Sequence, residues 1–215
     1  MNIALFDFDG TITSKDSFAP FIRFAVTPTR AVFGALLLAP IIIGYKLRLI
    51  PASFTRACLA RFGFRGRRLN EIREIGSRFA SEILPNTIRQ KAMERIDWHR
   101  AEGDIVDVVS AALDVYLSSW CQQNGLELVC TELESKNGVL TGRYLNGDCT
   151  GIEKLKRIME KYSLETFGEI YAYGDTREDE VLLSVATKKY FRWREITDIS
   201  EIEHTSVRVD EEPNR

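Results

Sequence analysis

Asp7 and Asp9 stand two residues apart in Asp7-Phe8-Asp9-Gly10-Thr11, at the end of the apolar run that begins at Asn2. Alternation along an extended chain points two such carboxylates the same way. In an open α/β sheet, ligands collect where strands end, so a strand ending here would deliver both acids to one site. Taken alone, the segment also reads as a solvated Asp-Gly turn. A second acidic group changes the balance: Asp175 and Asp179 follow the apolar stretch Glu169–Tyr173, in Gly174-Asp175-Thr176-Arg177-Glu178-Asp179. Carboxylates converging at strand ends repel unless a cation lies between them. Oxygen-only ligands suit a hard ion, and Mg²⁺ characteristically takes one or two carboxylates, waters and a substrate phosphate.

The elements that must position these residues follow from periodicity. Asn2 to Phe8 reads as a buried strand, Ile105–Val109 as a second and Leu126–Thr131 as a third. Ser110-Ala111-Ala112 reads as a loop, and Leu113–Asn124 as a helix stopped by Gly125. Ser135-Lys136-Asn137-Gly138 leads into Val139–Tyr144 as a hairpin. Gly151–Tyr162 is a helix, Glu169–Tyr173 a fourth strand, Asp179–Ala186 a helix and Lys189–Trp193 a fifth strand. Strands alternating with helices imply a mostly parallel sheet covered on both faces, an α/β fold. From about Asp16 to Arg100 the pattern is helical, and Pro20, Pro28, Pro40, Pro51 and Pro85 divide it into four or five helices.

Four segments in order resemble the motifs of the haloacid dehalogenase superfamily, in its phosphoserine-phosphatase-like subfamily IB. They are Asp7-x-Asp9-Gly10-Thr11, the Ser110 ending Val108-Val109-Ser110, the Lys154 of Gly151-Ile152-Glu153-Lys154, and Gly174-Asp175-x-x-x-Asp179; they span about residues 2–195. The resemblance implies a Rossmann-like core formed by residues 1–14 and 101–197, with residues 15–100 inserted as a helical cap. It implies that Asp7 is the nucleophile, forming an aspartyl-phosphate. Asp9 would act as general acid and then base. Ser110 and Lys154 would hold the phosphoryl oxygens, with Thr11 beside them. Mg²⁺ would be held by Asp7, the Asp9 carbonyl and Asp175, with Asp179 supporting the site. Singly, Ser110 also fits an N-cap and Lys154 a solvated helix face. Asp9 separates phosphatases from dehalogenases, which have no alcohol leaving group to protonate and lack the second aspartate. One departure stands out: Glu178 occupies a position where phosphoserine phosphatases carry Asn, adding negative charge near the metal, and Arg177 could offset it.

Substrate contacts belong to the cap. Asp16 lies about where phosphoserine phosphatases meet the substrate amine, which favours an amino-acid phosphate; it equally suits the start of a helix. Ala31–Tyr45 points elsewhere, with 15 residues free of charge between Arg30 and Lys46. Three placements compete: a buried cap helix, which is favoured, an interfacial anchor with basic flanks as its rival, and a true span as the least favoured, since a span needs about 20 apolar residues and Pro40 interrupts the run. This cap is also similar in hydropathy to that of phosphatidylglycerophosphatase C, so two substrates stand: a small soluble phosphomonoester, or a phospholipid head-group phosphate. A membrane-associated or binding module on a catalytically weak scaffold is the reading from another class, and the intact Asp7, Asp9, Lys154 and Asp175 weigh against it.

Charge distribution bears on the partner. The 215 residues carry a net charge of −2, but residues 15–103 hold 16 Lys/Arg against 7 Asp/Glu, and Ser17 to Asn70 contains no acid at all. A near-neutral total argues against a nucleic-acid coat. The basic block invites an anionic partner, such as an anionic membrane surface. The four cysteines show no ligand-like spacing, the N-terminus has no basic leader, and Asp210-Glu211-Glu212 closes a polar stretch from about Asp198. Reduced thiols, a cytoplasmic location (peripheral at the inner face of a membrane if the cap touches lipid) and a frayed tail over 198–215 are the expectations.

Overall fold

The computed structural model describes residues 1–202. Its centre is a six-stranded sheet in the order β3-β2-β1-β6-β7-β8. The strands are β1 (Ile3–Phe6), β2 (Ile105–Leu113), β3 (Glu127–Thr131), β6 (Ile170–Gly174), β7 (Lys188–Phe191) and β8 (Arg194–Ile196). A separate antiparallel hairpin, β4 (Leu133–Lys136) and β5 (Val139–Tyr144), turns at Asn137 and Gly138, whose φ values of 52° and 76° suit a type I′ turn. All pairings in the large sheet are parallel except β7 with β8, as the α/β reading requires.

β1 lies in the middle of this sheet and is buried along its whole length, which accounts for its unbroken apolar sequence. Ala4 and Phe6 enter one hydrophobic cluster, Ile3 and Leu5 the other, each on its own face of the sheet. Against the second face pack α7 (Ile152–Lys161) and α8 (Glu180–Ser184), through Ile158, Leu182 and Leu183. Against the first pack α6 (Asp114–Asn124) and helices inserted between β1 and β2. Gly125, at φ 64° and ψ 39°, ends α6 in the left-handed conformation its sequence predicts.

The insertion is five helices: α1 (Phe18–Ala25), α2 (Pro28–Lys46), α3 (Ala52–Phe64), α4 (Leu69–Glu82) and α5 (Gln90–Ala101). They bury no core of their own. Phe21 and Phe79 pack on Tyr116 of α6, with ring centroids 4.6 and 5.3 Å away. The α3–α4 connection also pairs with β5, through Gly66 N–H to the Leu140 carbonyl (2.9 Å) and Leu140 N–H to the Arg67 carbonyl (2.8 Å). The hairpin thereby fastens the insertion to the core.

Four sequence expectations need correction. α2 runs unbroken through Pro40 instead of stopping there, and it is not buried: of its residues, only Gly34 and Leu38 are enclosed. Among the described residues, no second layer of helices covers the insertion. Ser110-Ala111-Ala112 is not a loop but the end of β2, where the pairing with β3 slips register between Ser110 and Leu113. β8 was not legible, because the turn before it uses Arg192 and Trp193 at φ 50° and 66° in place of the usual Gly or Asn. The tail does not begin at Asp198, since Ile202 is buried against Phe191 and Ile196 in the second cluster; residues 203–215, including Asp210-Glu211-Glu212, lie outside the described residues.

Candidate active site

Register brings the motif residues together. Phe6 pairs with Val108 on one side and with Tyr173 on the other, so Asp7, Ser110 and Asp175 emerge from three adjacent strand ends. Asp7 N–H donates to the Tyr173 carbonyl at 2.9 Å, carrying the pairing one residue past β1. Gly10, at φ 88°, then turns the chain under Asp175, where a Cβ would run into the carboxylate.

Lys154 occupies the centre. Its ammonium is buried and donates to Asp7 Oδ1 and Asp179 Oδ1, both at 2.6 Å. α7 delivers it: Gly151 takes the position before the first turn, and Lys154 lies on the helix face turned inward beside Ile158. Asp179 is held in turn by the N–H groups of Asp175 (3.2 Å) and Thr176 (3.1 Å) and by the Thr176 hydroxyl (3.0 Å). Asp7, Asp175 and Asp179 bring carboxylate oxygens within 4.8 Å of one another. One ammonium among three carboxylates leaves an excess of negative charge. Its consequences differ by residue. Burial and the Asp179 charge raise Asp7 well above the usual carboxylate range. Burial, again with Asp179, lifts Asp175 to about 6. At Asp179 burial also pushes up, but Lys154 and the backbone N–H donors outweigh it and hold the group ionised. Lys154 is driven down by burial and up, more strongly, by Asp7 and Asp179. An all-oxygen set with uncompensated negative charge fits a hard divalent cation, so these residues suit Mg²⁺.

Asp9 takes a different position. Its carboxylate accepts the Ser17 N–H at 2.9 Å instead of joining the Asp7–Asp175–Asp179 group. Burial raises it to about 7, and the nearby Asp16 charge adds to the rise. The group the motif comparison implies for a metal at Asp9 is its backbone carbonyl, not this carboxylate. Asp16 itself is exposed, and its carboxylate accepts the Ala19 N–H in the first turn of α1 (3.1 Å). Thr11 donates to Asp175 Oδ1 at 3.4 Å, so it positions that acid. Ser110 is buried, and its oxygen accepts the Ala112 N–H at 3.1 Å, which leaves the hydroxyl proton to donate. Glu178 points away from the carboxylate group: it accepts the Thr150 hydroxyl and lies 3.6 Å from Arg56 of α3. Arg56 also bridges to Asp148 at 2.9 Å. Arg177 is exposed.

Several neighbours were missed in the sequence. Trp193 donates its indole N–H to the Thr11 carbonyl (3.2 Å) and Arg192 donates to the Asp175 carbonyl (3.2 Å), so the β7–β8 turn clips both acidic loops. Nothing local marks that turn. Ser17, which holds Asp9, also pairs with Tyr116 at 2.8 Å; its place after Asp16 at a helix start was the available signal.

With this geometry in place, comparison with known proteins identifies the class. Residues 4–184 match the model of the haloacid dehalogenase-like hydrolase family. The chain belongs to that family. Among curated relatives, protein CicA of Caulobacter vibrioides is 30% identical over 192 residues, covering 88% of this chain and 85% of the relative. Among solved structures, a Bordetella pertussis Tohama I protein of unknown function superposes with a TM-score of 0.76 at 21% identity, over 88% of this chain and 89% of that one. A substrate-bound phosphoserine phosphatase superposes at 0.63 with 18% identity, over 88% and 84%. At these identities the two structures speak for the fold.

Proposed function

We propose that this hydrolase cleaves phosphomonoesters through an aspartyl-phosphate on Asp7, with Mg²⁺ as cofactor. The observation that carries the reading is Lys154, buried at 2.6 Å from both Asp7 and Asp179 within a group of three carboxylates. Such a site is built to receive an anion and a cation together. The Asp7 carboxylate attacks phosphorus, the bond to the alcohol oxygen breaks, and protonated Asp9 gives its proton to that oxygen. Asp9, now ionised, takes a proton from water; the water oxygen bonds to phosphorus, phosphate leaves and Asp7 is regenerated. Lys154 and the Ser110 hydroxyl orient the phosphoryl oxygens, where charge develops as the bond breaks. Asp7, Asp175 and the Asp9 carbonyl would hold Mg²⁺, which supplies charge neutralisation between nucleophile and phosphate.

The substrate is either a small metabolite such as phosphoserine or a phospholipid head-group phosphate. The exposed apolar surface of α2 favours the second, and so does the cap's likeness in hydropathy to phosphatidylglycerophosphatase C within subfamily IB. A cytoplasmic location with peripheral attachment to the inner face of a membrane belongs to the same reading.

The test is hydrolysis of a generic aryl phosphate by the full chain with Mg²⁺, and its loss on chelation. Turnover that survives a chelator overturns the metal assignment. A screen pairing soluble phosphomonoesters with phosphatidylglycerophosphate, with and without anionic vesicles, then separates the substrates. Good turnover of phosphoserine with no gain from vesicles discards the lipid.

A further inference from the structure

We propose that α2 is an in-plane docking helix that seats the protein on an anionic phospholipid bilayer, with Arg61 and Arg65 of the adjoining groove receiving lipid phosphate. The inference rests on the surface of the insertion and does not depend on the chemistry at Asp7.

An outer helix of a water-facing protein turns polar residues outward. α2 does the reverse. Val32, Phe33, Leu36, Leu37, Pro40 and Ile43 share its outer side, and Phe33, Leu36 and Leu37 are 70%, 73% and 67% exposed. Between Arg30 and Lys46 it has no charged residue. The patch continues onto Leu47 and Leu49 beyond the helix and Phe54 at the start of α3, all more than half exposed. An apolar surface of this extent marks an interaction site.

Charge identifies the occupant. Nine Arg and Lys lie between Ser17 and Asn70 with no Asp or Glu among them. Arg30 stands at one end of α2, Lys46 and Arg48 at the other. A groove of about 570 Å³ between α2 and α3 has Leu37, Leu38 and Phe62 on its apolar wall and Arg30, Arg61 and Arg65 along it. Arg61 and Arg65 continue into a neighbouring depression of about 430 Å³ that adds Lys136 and Arg143. Among the described residues no carboxylate pairs with Arg61 or Arg65. Arg143 pairs with Glu134 at 3.2 Å and Arg30 donates to the Gly63 and Arg65 carbonyls, which leaves Arg61 and Arg65 for an outside anion. Apolar side chains rimmed by such cations match the boundary between acyl chains and anionic head groups, where each adds attraction. A protein partner would need an equally long run of matching acids around an apolar centre; a bilayer offers both over any area.

Orientation follows from packing. α2 is about 28 Å long at 1.5 Å per residue, close to a bilayer's hydrocarbon thickness. It is nevertheless laid along the body. Gly34 leaves room for Phe62 and Gly44 for Ile50, so α2 and the chain returning from it touch near both ends. α3 is in turn tied to the core by Arg56 and Asp148. Turning α2 across a bilayer would drag Arg56, Arg61 and Arg65 into hydrocarbon, at a cost that forbids it. Lying flat, α2 buries its outer side in lipid while α3 keeps its cations at head-group level. α3 also links the two sites: Arg56, beside Glu178 at the rim of the acidic loops, is about 1.4 turns before Arg61.

The experiment is co-sedimentation of the full chain with vesicles of phosphatidylcholine alone or mixed with phosphatidylglycerol. Binding is expected only to the anionic vesicles and should weaken as salt rises. Phe33→Glu with Leu36→Glu should weaken it by at least about tenfold, and Arg61→Glu with Arg65→Glu by several-fold, on the scale of such contacts. All four residues are partly or fully exposed and apart from the acidic site, so aryl phosphate hydrolysis in solution should be unchanged. Absence of wild-type binding, or binding indifferent to Phe33→Glu with Leu36→Glu, overturns the proposal. So does a dimer that Phe33→Glu with Leu36→Glu disperses in a protein that ignores vesicles, which would give the face to a second copy. Asp7→Asn must bind vesicles like the wild type. A protein that binds without hydrolysing anything overturns the phosphatase reading alone; one that hydrolyses without binding overturns the docking helix alone.

Discussion

Lys154 Nζ lies 2.6 Å from Asp7 Oδ1, a contact between residues 147 positions apart that is sealed from solvent. Removing the ammonium strands two buried carboxylates, Asp7 and Asp179, beside the half-buried Asp175. Lys154→Met should therefore cost about 3–5 kcal/mol in chemical denaturation and abolish the proposed phosphatase activity. Added Mg²⁺ should raise the Tm of the wild type and raise that of Lys154→Met further, since a ligand of the folded state stabilises by mass action. A Tm indifferent to Mg²⁺ in both proteins would remove the cation from this site.

Asp7→Asn keeps the Lys154–Asp179 pair and so should leave the fold intact by circular dichroism. Turnover of an aryl phosphate should fall by at least ~10³-fold, because the proposed covalent intermediate forms on the Asp7 carboxylate. Wild-type-like turnover in this variant would sink the nucleophile assignment.

In the proposed mechanism Asp9, lifted to about 7 by burial and by the Asp16 charge, is the acid that protonates the leaving alcohol. The protonated fraction falls as pH rises through that value, so kcat/KM for an alkyl phosphate should decline on the alkaline side. Asp16→Asn takes away a negative charge that favours protonation, and the decline should move to lower pH. An unmoved pH profile would show that the two acids do not communicate.

Glu178 is turned toward Thr150 and Arg56, so its charge is spent outside the carboxylate group. Glu178→Gln should leave kcat within about twofold. Arg56→Ala is different: it deprives Asp148, a largely buried acid, of its only cation among the described residues. A loss of about 1–3 kcal/mol is expected in urea unfolding. Equal effects of the two substitutions would contradict this division.

His99 is fully buried, with Asp104 at 2.8 Å on Nδ1 and the Tyr173 hydroxyl at 2.9 Å on Nε2. Burial holds its pKa below the ordinary 6.5, outweighing Asp104. The unfolded chain therefore binds the proton more readily. The contribution to stability is complete above pH 6.5 and lost as pH falls below it, by up to about 1.4 kcal/mol per pH unit. Urea titrations at about pH 7.5 and about pH 5.5, compared with His99→Asn, read this out as a pH slope the variant lacks.

The motif loops were legible because their chemistry restricts residue type: an acid, an acid two on, a glycine that must turn beneath Asp175, and a lysine after Gly151. The helices and parallel strands were legible from periodicity. What was not legible depends on contacts that no local pattern encodes. Ala31–Tyr45 is apolar whether it is covered or bare, and only the missing helix layer shows that Phe33 and Leu36 face outward. Trp193 reaches Thr11 across 182 residues through a turn with neither Gly nor Asn. The partner of Glu178 is an arginine from another segment, so its position in a motif could not reveal which way it pointed.

The central place of β1 in the sheet has a consequence for assembly. Phe6 must be flanked by Val108 on one side and Tyr173 on the other. The strand that carries Asp7 thus waits, during synthesis, until nearly the whole sheet has been made before it can be enclosed. Such distant pairings close slowly, and an apolar strand left waiting is prone to aggregate. Chains halted before residue 174 would carry Asp7 but neither Asp175 nor Asp179. Unfinished protein would then be both sticky and inert, and its yield in a cell would be governed by how well that early strand is shielded until its second neighbour arrives.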